Sequence, residues 1–144
     1  MSALFGDDVR PGELLPPLTV QVTPVQMFLF SAASYNGHRI HWDTPWATDV
    51  EGHPGLVVQG HLQAALLARA VTDWTGSAGR LVAFATQNRG SAHAGDVLTF
   101  RGVVVSVRQE GDRHLVDLRL GGEDAAGQVV MPGTATVELP SRSG

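Results

Sequence analysis

Residues 36–41 read Asn36-Gly37-His38-Arg39-Ile40-His41, placing a carboxamide, two imidazoles and a guanidinium within one turn-forming segment. Eighteen residues after His41 comes Gln59-Gly60-His61, at the start of an apolar stretch that reads as a helix. An imidazole titrates near neutrality and can both take and return a proton. The first amides of a helix have no partner inside it, so they are free to meet a developing negative charge. Together these groups suit proton transfer beside an ester or thioester carbonyl.

Composition narrows the alternatives. The chain has no cysteine and no lysine, and all ten of its cationic residues are arginines. Thiol nucleophiles, thiolate metal sites, disulfides and Schiff bases are therefore excluded. A net charge of −4 argues against a nucleic-acid partner. No apolar run approaches the roughly 20 residues of a membrane span. The amino-terminal stretch lacks the basic and apolar regions of a secretory signal, so the expected location is the cytoplasm.

The elements that must position these groups are legible in outline. The 144 residues fit one domain, 1–144. Residues 18–22 alternate like a strand. Thr23-Pro24 has the form of a helix start, with Thr23 as N-cap, and residues 25–34 form a short apolar helix carrying Phe28 and Phe30. Residues 37–60 are rich in Pro and Gly and read as a long loop with one helical turn near residues 45–47; loops of that length are commonly functional. Residues 62–74 form a helix closed by Gly76, apolar on every side and so expected inside a curved sheet. Four β-branched segments follow, at 81–87, 97–108, 114–120 and 129–139. The implied class is α+β, one antiparallel sheet wrapped around one long central helix.

That order, with the 36–41 segment, resembles the MaoC-like branch of the hot-dog fold, which comprises acyl-thioester dehydratases and enoyl-CoA hydratases. The likeness runs from about Leu14 to Leu139. At the positions of the family motif Asp-x-Asn-Pro-x-His this chain reads Asn36, His38, Arg39 and His41, with Ala47 beyond. The wording of 30–43 and the later Gly55-Leu56-Val57-Val58-Gln59-Gly60 are more similar to a subgroup, the 3-hydroxyacyl-thioester dehydratases and mesaconyl-CoA hydratases. Gly95-Asp96 matches a recurrent turn of the family.

The resemblance implies a hydro-lyase that interconverts 2-enoyl and 3-hydroxyacyl thioesters of coenzyme A or acyl carrier protein. His41 is the implied acid/base and Gly60 the amide facing the carbonyl. Asn36 replaces the family aspartate; it cannot act as a base, but it can orient water or an imidazole. His38, Arg39, Gln59 and His61 are the expected substrate contacts. Arg39 has the alternative of pairing with Asp43 or Asp49, and Tyr35 and Trp42 read as packing residues. Arg89 and Arg101 are candidates for coenzyme A phosphates. No cofactor and no metal are called for. A lone hot-dog unit exposes a sheet edge, so a homodimer, a higher oligomer or a hetero-oligomer with another hot-dog subunit is expected. Two rivals remain: a thioesterase using Asp43 or Asp49, and a non-catalytic subunit completing a partner's pocket.

Overall fold

The computed structural model describes residues 3–142. Its principal elements are β1 (Leu18–Gln21), α1 (Pro24–Ala33), α2 (Gly60–Thr75), β2 (Arg80–Thr86), β3 (Val97–Glu110), β4 (Arg113–Glu123) and β5 (Val129–Pro140). The strands form one antiparallel sheet in the order β1-β3-β4-β5-β2. β1 and β2 are its edges. Irregularities at Val104/Ser106, Leu81/Ala83 and Gly122/Glu123 interrupt the ladders and add bend.

Period-two alternation selects the face that meets α2. On β3 the buried row is Leu98, Phe100, Gly102 and Val104; on β4 it is His114, Val116, Leu118, Leu120 and Gly122. Against these rows α2 buries Leu62, Leu66, Leu67, Ala70 and Val71, and the two surfaces make one continuous core. This is the expected sheet wrapped around a helix. α2 differs from expectation in keeping one stripe exposed, with His61, Ala65 and Arg69 facing outward. Gly76 closes it in the left-handed region, at φ 64°.

α1 begins as the sequence predicts. The Thr23 hydroxyl accepts the Gln26 amide at 3.2 Å and Pro24 takes the first helical position. Its packing is thinner than its composition suggests. Only Met27 and Ser31 are buried, and Val25, Phe28 and Leu29 are exposed. The Asn36-Gly37 turn also differs, because Tyr35 is the residue with positive φ (55°), and its side chain, 99% exposed, packs against nothing.

The long loop carries more order than its composition implies. A 3-10 turn spans Arg39–His41, and a π-helical turn spans Trp46–Val50. Side-chain caps build both: His38 Nδ1 accepts the Ile40 amide (3.3 Å), and Asp43 Oδ1 accepts the Trp46 amide (3.2 Å). Hydropathy periodicity does not register such turns.

Candidate active site

The loop is laced to the chain entering α2. Val57 N–H donates to the Ile40 carbonyl at 2.9 Å, and His41 Nδ1 lies 2.6 Å from the Val57 carbonyl oxygen. A carbonyl can only accept, so Nδ1 carries the proton and Nε2 keeps its lone pair. Burial holds the His41 pKa below the usual 6.5. The bond to Val57 opposes that shift and the neighbouring His38 adds to it. At neutral pH His41 is therefore a neutral ring with a basic Nε2, buried and locked in orientation.

Three residues beyond Val57, α2 begins at Gly60. Its N-cap Gln59 makes no side-chain capping bond, so the first-turn amides stay open. A Cβ on residue 60 would stand 3.0 Å from Asn88 Nδ2, so glycine lets the Asn88 carboxamide lie directly on the helix start.

The other expected residues divide into two groups. His38 stands beside His41, with ring centroids 5.9 Å apart. Asn36 Oδ1 accepts the His38 amide at 3.4 Å, leaving the Asn36 NH2 to other partners. Arg39 takes its alternative role: Nε and Nη2 bond Asp43 Oδ2 at 3.0 and 2.7 Å, and the guanidinium stacks 4.0 Å over Trp46. That ion pair and the Trp46 amide hold the Asp43 carboxyl below its ordinary pKa. Gln59 lies in the core at 1% exposure, its Nε2 donating to the Met27 carbonyl (2.7 Å) and Ser31 hydroxyl (2.9 Å). This side chain ties α1 to α2. His61 is on the open stripe of α2.

Two residues of the site had no signal in the sequence. Asn88 is brought to Gly60 only by the path of β2. Glu51 accepts the Trp46 indole N–H at 3.0 Å and lies 4.0 Å from His38 Nε2 and 3.8 Å from His53 Nε2. It is the carboxylate beside the imidazoles, in a loop whose sequence points to Asp43 and Asp49 as the available acids. Among the described residues no three His, Asp or Glu side chains form a metal-holding group. Arg89 and Arg101 both border a groove of about 820 Å³ on the outer face of the sheet, together with Arg119.

Residues 13–90 match the family model of hydroxyacyl-thioester dehydratase type 2. The chain belongs to this family. The match covers α1, the loop, the start of α2 and Asn88, so His41, Gly60 and the residues around them lie within it. Mesaconyl-C(4)-CoA hydratase of Chloroflexus aurantiacus is 40% identical over 131 residues, which cover 87% of this chain and 42% of that protein. The chain thus spans less than half of that relative.

Solved structures of lower identity show the same fold. R-hydratase PhaJ1 of Pseudomonas aeruginosa superposes with a TM-score of 0.87 at 19% identity, over 97% of this chain and 88% of that one. A chain of the ChsH1-ChsH2 complex of Mycobacterium tuberculosis gives 0.79 at 22% identity, over 90% and 98%. The fold of this family member is the hot-dog fold. Among its described residues no helix is long and apolar enough to cross a membrane.

Proposed function

We propose that this domain hydrates 2-enoyl thioesters and dehydrates 3-hydroxyacyl thioesters, with His41 as the acid/base and the Gly60 amide as a donor to the thioester oxygen. The observation that carries the reading is the forced tautomer of His41, whose ring is held through Nδ1 by the segment that delivers Gly60, leaving Nε2 free. In hydration, Nε2 takes a proton from water as the water oxygen bonds to C3. The C2=C3 electron pair moves toward the thioester oxygen, where the Gly60 N–H meets the enolate. The imidazolium then returns its proton to C2 on the same face, and dehydration is the reverse. The Asn36 NH2, unlike a carboxylate, orients the water without competing for its proton.

The thioester is that of coenzyme A. Arg89 and Arg119 edge a groove that suits phosphates, beside Arg101, whose Nε bonds the Glu123 carboxylate at 3.0 Å. Assembly with a second hot-dog unit completes the pocket, whether that unit is another copy or a separate chain. The open edge of β2 and the exposed Val25, Phe28 and Leu29 are surfaces such a partner would cover. The expected location is the cytoplasm.

Thioester hydrolysis through Asp43 is less well served, because both of its carboxylate oxygens are engaged by Arg39 and Trp46. Incubation with crotonyl-CoA tests the proposal. Loss of enoyl absorbance without release of free thiol is the expected result. Thiol release would point to a thioesterase, and neither change would point to a non-catalytic subunit.

A further inference from the structure

We propose that Asn88 is a second donor to the thioester oxygen, pairing with the Gly60 amide to make a two-donor oxyanion site. The inference rests on the hydratase reading above and adds a residue to it. Beyond β2 the backbone stays bonded to the strand beside it, with Gln87 N–H to the Pro132 carbonyl at 3.1 Å and Arg89 N–H to the Val130 carbonyl at 2.9 Å. Side chains on such a ladder alternate in direction. Gln87 and Arg89 line the outer groove and bond each other, Arg89 Nε and Nη2 to Gln87 Oε1 at 3.1 and 2.8 Å. Asn88, between them, points the other way and stays out of that pairing.

It points at the helix start. The three heavy atoms nearest the position of a Gly60 Cβ all belong to Asn88: Nδ2 at 3.0 Å, Cγ at 3.5 Å and Cβ at 3.7 Å. A carboxamide NH2 thus lies against the uncapped first turn of α2, beside its open backbone amides. A neutral carboxamide donates to an enolate without changing its own protonation. A Cβ at residue 60 would crowd this approach, standing 3.0 Å from Nδ2.

Three readouts test the assignment. The first is crotonyl-CoA kinetics on Asn88→Ala: kcat is expected to fall about 10²-fold with KM little changed, and Asn88→Asp is expected to fall further because its carboxylate repels the enolate. The second is a double-mutant cycle. Gly60→Ala should impair the native chain but add little to Asn88→Ala, in which the nearest obstructing atoms are gone. The third uses acetoacetyl-CoA, whose enolate absorbs in the near ultraviolet. The native chain should promote its enolisation on binding, and Asn88→Ala should lose most of that band. An active native chain whose Asn88→Ala variant keeps native kcat and the enolate band overturns the role of Asn88 alone. A native chain that neither hydrates crotonyl-CoA nor binds acetoacetyl-CoA overturns the hydratase reading, and the Asn88 assignment with it.

Discussion

Replacing His41 by asparagine separates what the ring holds from what it does. The native ring makes two contributions: Nδ1–H satisfies the Val57 carbonyl at 2.6 Å, and Nε2 supplies the base. Asparagine keeps an N–H donor about where Nδ1–H stood and has nothing in place of Nε2. His41→Asn should therefore fold with near-native stability and lose the acid/base contribution, on the order of 10²- to 10⁴-fold in kcat. His41→Ala should lose as much activity and also leave the buried carbonyl unpaired, at about 1–3 kcal/mol. For a domain of this size that is a fall in melting temperature of roughly 2–12 °C. The fold should survive, since domains commonly have about 5–15 kcal/mol in hand. Crotonyl-CoA hydration and thermal unfolding by circular dichroism, measured on the same preparations, provide both numbers. Native turnover in His41→Asn would refute the catalytic assignment. Equal melting temperatures for His41→Ala and the native chain would refute the structural one.

Burial disfavours the imidazolium, so the His41 pKa lies below 6.5 and the base is lost only as pH falls through that lower value; the acid limb of a kcat/KM profile should have its midpoint below 6.5, and a midpoint above it would contradict the burial argument. Leu67, fully buried between α2 and the sheet, should cost about 2–5 kcal/mol when cut to alanine, read as a lower urea midpoint. On the outer face, the Asp117 carboxylate accepts from Thr136 (2.7 Å), Ser106 (2.9 Å) and Arg108 (2.8 Å), which together hold its pKa below the ordinary 3.8. A depressed carboxyl pKa gives stability that is present above pH 3.8 and lost as pH falls through the folded value. The native chain should accordingly lose stability more steeply in acid than Asp117→Asn, as urea midpoints between pH 5 and 2.5 would show.

How much of this was readable from sequence depended on whether the cause was local. β3 and β5 declare themselves by alternation and β-branching, and α1 by Thr23-Pro24, because those signals act within a few residues. β4 runs three residues past Leu120 through Gly121 and Gly122, a pair that locally reads as a break. In the fold Gly122 lies tight against a distant side chain, where a Cβ would meet the Phe100 ring at 3.1 Å. The turn at Trp46–Val50 depends on the Asp43 cap, and periodicity carries no trace of it. Within the site, His41 and Gly60 stood out because residue type and spacing mark them. Gln59 looked equally well placed, yet a helix start has an inner and an outer side, and its carboxamide turned inward to Met27 and Ser31. Glu51 and Asn88 are ordinary polar residues until the fold puts them beside an imidazole and a bare amide.

The central claim is that one acyl group is gripped at its oxygen by the start of α2 and attacked from the His41 side. A crystal structure of the native assembly with a bound 3-hydroxyacyl-CoA tests it most directly. The account predicts the thioester oxygen within hydrogen-bond reach of the Gly60 nitrogen, and the β-hydroxyl within reach of His41 Nε2. A thioester bound elsewhere, with His41 and Gly60 opening into different cavities, would contradict it.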